Sequence, residues 1–228
     1  MLNICNLGEV MAVQFRLLVR VMLLVMLFAV NITANVDAAP PVSGIAIDET
    51  LDFFAEHVGG LLVSCNFSFQ IIALDYVNKS GAPVVLTGSF GILTKPSSNT
   101  RSGVALAFKL VPADASLMKN GQYNFTIFTP NLVYLVFGKT STVGQELITF
   151  KCDSGGLCVL YRLDNLAKVY SESTSVGGTV SVAYQRAAGQ LDVAGTLKMP
   201  SSPSEKGWTA FIDYQSCLSQ LLKQTFGK

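Results

Sequence analysis

The sequence predicts an all-β fold: an antiparallel β-sandwich with an N-terminal amphipathic helix and a short C-terminal helix. Short segments rich in β-branched and aromatic residues recur along the chain, with turn residues about every 8–12 positions. The helical patterns that a parallel α/β fold needs between its strands are missing. The apolar period also changes from helical to alternating after the opening stretch near residue 62.

Residues 1–38 predict a secretory signal peptide. Arg16 and Arg20 precede an uncharged apolar run at 21–30, and small residues follow up to Ala38. The run is shorter than the roughly 20 residues that a membrane-spanning helix needs. We therefore expect cleavage after Ala38 and secretion to the extracellular space, with an uncleaved anchor as the alternative. Residues 39–228 are then expected to form a single β-sandwich domain.

The stretch from about residue 45 to residue 62 predicts the amphipathic helix. Its large apolar side chains follow the spacing of one helical face: Ile47, Leu51, Phe54, Val58 and Leu61. Most of its acidic residues fall on the other side, and three lie near the start, where the helix dipole favours negative charge. Such a helix either covers the protein's own core or leaves it to enter another apolar environment.

Strands are predicted between about residues 65 and 214, and a helix at about 216–226. The strand segments are 65–77, 82–93, 104–111, 122–129, 132–138, 145–152, 157–163, 179–185, 191–199 and 208–214. The last segment alternates well enough for a strand. The helix after it is indicated by the spacing of Leu218, Leu221, Leu222 and Phe226.

Four cysteines lie beyond the signal peptide, and an even count in a secreted chain favours two disulfides with three possible pairings. Asp-Ser-Gly-Gly between Cys152 and Cys158 is typical of a turn, so we expect these two to bond across the base of a hairpin. Cys65 and Cys217 would then tie the ends of the domain together. A metal site is the alternative, but His57 is the only histidine, and we predict no metal.

Three Asn-x-Ser/Thr sequons beyond the signal peptide are candidates for glycosylation, at Asn66, Asn78 and Asn124. Two of them fall inside predicted strands, where glycosylation requires a side chain that points outward.

The composition argues against several functions. Lys and Arg (16) nearly balance Asp and Glu (15) without a basic stripe, so no nucleic-acid partner is expected. The common nucleophile, zinc and phosphate-binding motifs are missing, so we predict no catalytic residue and no cofactor. A glycosidase would need a pair of carboxylates. The sequence does not show which acids, among candidates such as Asp75, Glu146 and Asp164, would pair.

Residues 47–134 carry an ordered set of segments: "LDFFAEHVGG", "IIALDYVNKSG", "SSNTRSG", "VALAFKL" and "FTIFTPNLVY". In this order they resemble the actinoporin family, and more loosely the aegerolysins, which are secreted β-sandwich cytolysins. The resemblance implies an N-terminal helix that detaches at a membrane, a lipid-binding loop at Pro130 and Tyr134, and a homo-oligomer on the membrane. Trp208 is the only tryptophan, so the family's paired tryptophans are absent.

The expected function is therefore that of a secreted, non-enzymatic protein that interacts with membrane lipid and resembles a pore-forming cytolysin. Its membrane-interacting candidates are the apolar residues of the opening stretch together with Pro130 and Tyr134. The alternatives are an extracellular recognition module for glycan or protein, and a carrier of an apolar ligand. An exposed aromatic cluster near Pro130 favours membrane binding, a deep apolar pocket favours a carrier, and a flat polar loop surface favours recognition.

Overall fold

The computed structural model describes residues 42–43, 45–94 and 103–226, and side chains from Glu49 onward. The predicted signal peptide (1–38) lies outside the described residues. Within them the chain forms twelve strands and two helices: β1 Val42–Ser43, β2 Ile45–Val58, β3 Leu61–Asp75, β4 Ala82–Thr94, β5 Val104–Leu117, β6 Tyr123–Ile127, β7 Leu132–Phe137, β8 Thr140–Ser141, β9 Glu146–Lys151, β10 Leu157–Arg162, α1 Ala167–Ser173, β11 Thr179–Gln185, β12 Val193–Lys198 and α2 Trp208–Phe226.

The strands form two sheets. The larger sheet has the order β2-β3-β4-β5-β10-β9, all antiparallel, and β6 pairs with the C-terminal part of β5. The smaller sheet has the order β1-β12-β11-β7-β8, in which only the short pair β1–β12 is parallel. The prediction of a mostly antiparallel β fold with a C-terminal helix is confirmed.

Both sheets contribute side chains to one hydrophobic core. From Phe67 to Asp75 of β3, alternate residues are buried, because successive side chains of a strand point to opposite faces. The apolar ones join a cluster with Val182 and Tyr184 of β11 and Leu197 of β12. At Gly195 of β12, a Cβ atom would lie 2.9 Å from Cγ2 of Ile71, so a larger residue would force the Ile71 side chain to shift at this close approach between the sheets.

Helix α2 covers part of the larger sheet. Its buried residues are Ala210, Phe211, Tyr214, Cys217 and Leu221, which follow helical spacing. The ring of Tyr214 stacks on Phe67 of β3 with 3.9 Å between centroids. The predicted strand at 208–214 was wrong, because the buried positions that begin with Ala210 and Phe211 fit the helical period, whereas Ile212 is exposed.

The predicted helix at about 45–62 was also wrong. The structure has strand β2, the tight turn Gly59–Gly60 and the start of β3, with Val58 paired to Leu61. Residues four apart share a face in a helix and in a strand, so the spacings from Ile47 to Leu51 and from Phe54 to Val58 did not distinguish the two. A Gly-Gly turn between apolar strands is the signal that the helical interpretation missed, since both glycines have positive φ (59° and 81°).

Both predicted disulfides are present in the structure. Cys65 of β3 bonds Cys217 of α2 with 5.9 Å between Cα atoms, and Cys152 bonds Cys158 across the turn between β9 and β10 at 5.5 Å. Two disulfides are consistent with a protein that folds in an oxidising compartment.

Candidate functional site

An apolar surface lies on the hairpin formed by β5 and β6. We call it the hairpin surface, and its residues are Leu117, Met118, Tyr123, Phe125 and Ile127. The strands pair in a register that places Tyr123, Phe125 and Ile127 on one face, opposite small or apolar residues of β5. The five side chains are between 49% and 65% exposed, and the rings of Tyr123 and Phe125 stack at 6.4 Å.

Local hydrogen bonds shape the tip of this hairpin. The backbone N–H of Met118 donates to the carbonyl of Gln122, and that of Gly121 donates to the carbonyl of Met118. Gly121 has a φ of 78°, a left-handed conformation that glycine adopts without steric cost. The exposed cation Lys119 lies at the same tip. The turn thus presents one positive charge next to the apolar side chains.

Ionic contacts fix the base of the hairpin. The guanidinium of Arg186 donates to both carboxylate oxygens of Asp114 on β5, at 2.7 and 3.1 Å, and lies 3.8 Å above the ring of Phe128. Arg186 also lies 3.5 Å from the fully buried carboxylate of Asp75, which accepts backbone N–H groups of Val77 and Asn78. The hairpin is therefore anchored at its base and open to solvent at its tip.

The same contacts shift the pKa of Asp114. Partial burial alone would raise the pKa, but hydrogen bonding to Arg186 and the charges of Arg186 and Lys79 together hold it below the usual value of an aspartate. The ion pair is thus maintained down to acidic pH.

A groove continues from the hairpin surface across the outer face of the larger sheet. It has a volume of about 570 Å³ and is bounded on one side by Phe125 and Ile127. Ile72, Val85 and Val111 line it as well, so the apolar character of the hairpin extends onto the sheet.

Pro130 and Tyr134, predicted to form a lipid-binding loop, are buried. The hydroxyl of Tyr134 donates to Asp192 at 2.5 Å, and burial together with this carboxylate raises the pKa of Tyr134 above its usual value. Neither residue can contact a membrane while the fold is intact, so this prediction is corrected. The exposed aromatic residues lie earlier in the segment, and the alternation Tyr-Asn-Phe-Thr-Ile at 123–127 is the signal that could have found them.

The apolar residues of the opening stretch do not form one surface. Leu51 is half-buried and packs against the core, whereas Phe54 is three residues further along β2 and points to the opposite face. Val58 and Leu61 are exposed beside the Gly59–Gly60 turn. Ile47 lies in β2, and its side chain is outside the described ones.

The three sequons differ in accessibility. Asn66 is buried and donates its amide to Ser64, and Asn78 is half-buried in the turn after β3. Asn124 is exposed on β6, on the face opposite Phe125. Of the three, Asn124 is the position at which a glycan fits this structure without rearrangement.

A second apolar site, the helix-side cavity, lies between helices α1 and α2 and the ends of β4 and β5. Its volume is about 750 Å³. Apolar side chains make up most of its wall, among them Ile92, Val104, Tyr170, Phe211, Leu218 and Leu222. Its polar members include Asp164, Ser171 and Gln215.

The three acids considered as candidates for a glycosidase lie in three different environments. Asp75 lies with Asp114 around Arg186, Glu146 accepts the backbone N–H of Gly144, and Asp164 lies at the helix-side cavity.

Within the part of the chain that the structure describes, no group of three or more His, Cys, Asp or Glu side chains is placed to hold a metal ion. The described helices include none that is long and apolar enough to cross a membrane.

Comparison with known proteins does not assign the chain to a family: no family model, no curated protein and no solved structure matches it. Function is therefore inferred from the hairpin surface and the helix-side cavity.

Proposed function

We propose that this is a secreted, non-enzymatic protein that binds membrane lipid through its hairpin surface. The observation that supports this most strongly is the hairpin itself, which carries five large apolar side chains that are about half exposed or more. All five residues of β6 are exposed, so the strand extends beyond the packed body of the protein. Apolar side chains gathered on one projecting element are typical of membrane or protein contact sites.

The expected strength of binding follows from the exposed area. Full burial of a large apolar side chain contributes about 1.5–3 kcal/mol of favourable free energy. Because these side chains are about half exposed, burying the rest in lipid would contribute roughly half of that for each one. Five of them supply about 5 kcal/mol, which corresponds to weak, reversible attachment. Aromatic rings such as those of Tyr123 and Phe125 favour the interface between lipid headgroups and acyl chains. Lys119 adds about 1 kcal/mol on an anionic surface.

We also infer that the two sheets form the layers of a β-sandwich from which the hairpin projects. The core that both sheets share and the close approach of Gly195 to Ile71 support this arrangement. The signal-like segment at 1–38 and the two disulfides support secretion.

We place membrane contact at the hairpin rather than at the opening stretch. Strand β2 pairs with β3 from Ile45 to Val58, and β3 is joined to α2 by the Cys65–Cys217 disulfide. Release of β2 would break this long ladder and expose the core beneath it, at a cost that lipid contact by a few side chains does not offset.

Vesicle sedimentation tests the membrane proposal. The wild type and the double variant Tyr123→Ser/Phe125→Ser are mixed with phosphatidylcholine vesicles, with and without phosphatidylserine. We expect the wild type to sediment with both, more strongly with phosphatidylserine, and the double variant to bind at least tenfold more weakly. Thr126→Ser is the matched control, because Thr126 lies on the same strand but on the other face.

Circular dichroism melting verifies that the double variant remains folded. Equal sedimentation of the double variant and the wild type, or no sedimentation of the wild type with either vesicle, would refute membrane binding by the hairpin. If the wild type sediments with neither vesicle, the hairpin surface would instead be a contact site for a protein partner.

A further inference from the structure

We propose that the helix-side cavity binds a small apolar molecule that carries an amine or a hydroxyl head and no negative charge. This site is separate from the hairpin surface and does not depend on membrane binding. Its cavity of about 750 Å³ falls within the range of roughly 300–1,000 Å³ that is usual for small-molecule sites.

The walls of the cavity are held in place without a ligand. Tyr170 of α1 and Tyr214 of α2 are buried, and their hydroxyls are hydrogen-bonded to each other. The side-chain amide of Gln215 on α2 donates to the backbone carbonyl of Thr174, just after α1, at 2.9 Å. The Cys65–Cys217 disulfide fixes α2 to the larger sheet. A preformed cavity lowers the entropic cost of binding.

The floor and sides of the cavity select an apolar body. Phe211 and Ile92 belong to the protein core, and Leu218 and Leu222 extend the apolar wall along α2 toward solvent. Leu222 is 39% exposed, so a ligand there would cover apolar surface that water now contacts. Removal of this surface from water favours binding in proportion to the area covered.

The polar groups of the cavity select the head of the ligand. Asp164 is exposed and is the one acidic or basic side chain among the described residues that line the cavity. Gln215 donates one of its two amide N–H bonds to the carbonyl of Thr174, and its side-chain oxygen can accept a hydrogen bond. A carboxylate and an amide oxygen both accept hydrogen bonds, so they suit an ammonium or a hydroxyl group. The charge of Asp164 disfavours a carboxylate or phosphate head.

Three probes with the same chain and different heads test this selectivity: dodecylamine, dodecanol and dodecanoate. Each is titrated into the wild type by calorimetry below the concentration at which it aggregates. We expect saturable binding of one molecule of dodecylamine per protein, about tenfold tighter than dodecanoate, with dodecanol between them. Asp164→Asn is expected to weaken dodecylamine about fivefold and to leave dodecanol unchanged.

Two tryptophan variants locate the site. Ser171→Trp places a large ring within the cavity lining and should abolish binding of dodecylamine and dodecanol. Lys168→Trp is the matched control on the same helix, because Lys168 is strongly exposed and does not line the cavity. The hairpin variant Tyr123→Ser/Phe125→Ser should bind both probes as the wild type does.

Several results would overturn the proposal. These are no saturable binding of any probe, binding that survives Ser171→Trp, or dodecanoate as the tightest of the three. Loss of binding in the hairpin variant would also overturn it, since it would place the probes on the hairpin surface. Failure of vesicle sedimentation alone leaves the cavity unaffected, so the two proposals can fail separately.

Discussion

Two hairpins of the larger sheet have similar sequences of alternating apolar residues but different surroundings. In the β2–β3 hairpin, Leu51 and Phe53 are half-buried and pack against the core. Helix α2 contacts this hairpin, with Tyr214 of the helix stacked on Phe67 of β3 and edge-on to Phe53. In the β5–β6 hairpin, the corresponding apolar residues of β6 remain half exposed, with no helix over them in the described structure.

The difference shows that an alternating apolar pattern predicts a strand but does not tell what covers its apolar face. Coverage of an apolar face depends on a distant segment, here α2, which begins more than 130 residues after the end of β3 and is joined to it by Cys65–Cys217. Among the described residues, no such segment covers the apolar face of β6. This leaves its apolar surface available for a partner outside the protein.

The largest effect is expected from the disulfide that holds the covered hairpin to its helix. Replacing Cys65 and Cys217 by alanine should lower the free energy of unfolding by about 5 kcal/mol, because the bond closes a loop of about 150 residues in the unfolded chain. Replacing Cys152 and Cys158 should cost only about 2 kcal/mol, since that loop is short. Urea unfolding of the two variants measures both losses, and equal losses would contradict the role assigned to α2.

A slightly smaller effect is expected at the base of the exposed hairpin. Arg186→Met should lower the free energy of unfolding by about 3–5 kcal/mol, because it leaves the buried carboxylate of Asp75 without its cation. Lys79→Met is the control, since this exposed partner of Asp114 at 3.5 Å should contribute about 1 kcal/mol or less. Thermal melting of both variants tests the difference. A loss below about 1 kcal/mol for Arg186→Met would mean that the ion cluster does not anchor the hairpin.

The sequence predicted the strands and the disulfide partners better than it predicted which segment packs over each apolar face. Most strands were predicted close to their observed bounds, because Gly, Asn and Asp turns separate clear runs of β-branched and aromatic residues. The disulfide partners were also predictable, since Asp-Ser-Gly-Gly between Cys152 and Cys158 specifies a hairpin turn and leaves one other pair.

The errors occurred in segments whose apolar residues fit both the helical period and the strand period. The 45–62 stretch fits a helical stripe in part and a strand in part, and in the structure it forms a hairpin in which β2 pairs with β3 across the Gly59–Gly60 turn. Trp208 to Tyr214 alternates like a strand, but its buried face is set by contact with Phe67 far away in sequence. The short helix α1 and the cavity beside it were not predicted, because seven residues give too short a pattern.

The candidate site was predicted less well than the fold. The sequence identified an aromatic segment around Pro130, but burial of Tyr134 against Asp192 and exposure of Tyr123 and Phe125 depend on which strand lies at the edge of a sheet. Strand order is a long-range property that a single sequence does not specify.

A matched pair of phenylalanine variants compares the two hairpins directly. Phe67→Ala should lower the free energy of unfolding by about 3–5 kcal/mol, because it empties a fully buried site beneath Tyr214. Phe125→Ala should change it by only about 1 kcal/mol or less, since about half of its side chain is already exposed. Chemical unfolding of both variants under identical conditions provides the measurement. A loss above about 1.5 kcal/mol for Phe125→Ala would mean that the hairpin surface is packed within the protein.

The smallest effect is expected from the pH dependence of the ion pair between Asp114 and Arg186. Arg186 holds the pKa of Asp114 below its usual value, so this carboxylate has a lower pKa folded than unfolded, where it is about 3.9. The stability that it contributes is therefore present above about pH 4 and is lost as pH falls through the folded pKa. Because Asp114 is partly exposed, we expect about 1 kcal/mol or less.

Unfolding of the wild type and Asp114→Asn between pH 7 and pH 2.5 measures this contribution. The wild type should be the more stable protein at pH 7, and its advantage should shrink toward the acidic end as Asp114 is protonated. An advantage that stays constant or grows on acidification would show that the ion pair does not stabilise the base of the hairpin. The exposed hairpin would then depend for its position on the stacking of Arg186 over Phe128 rather than on charge.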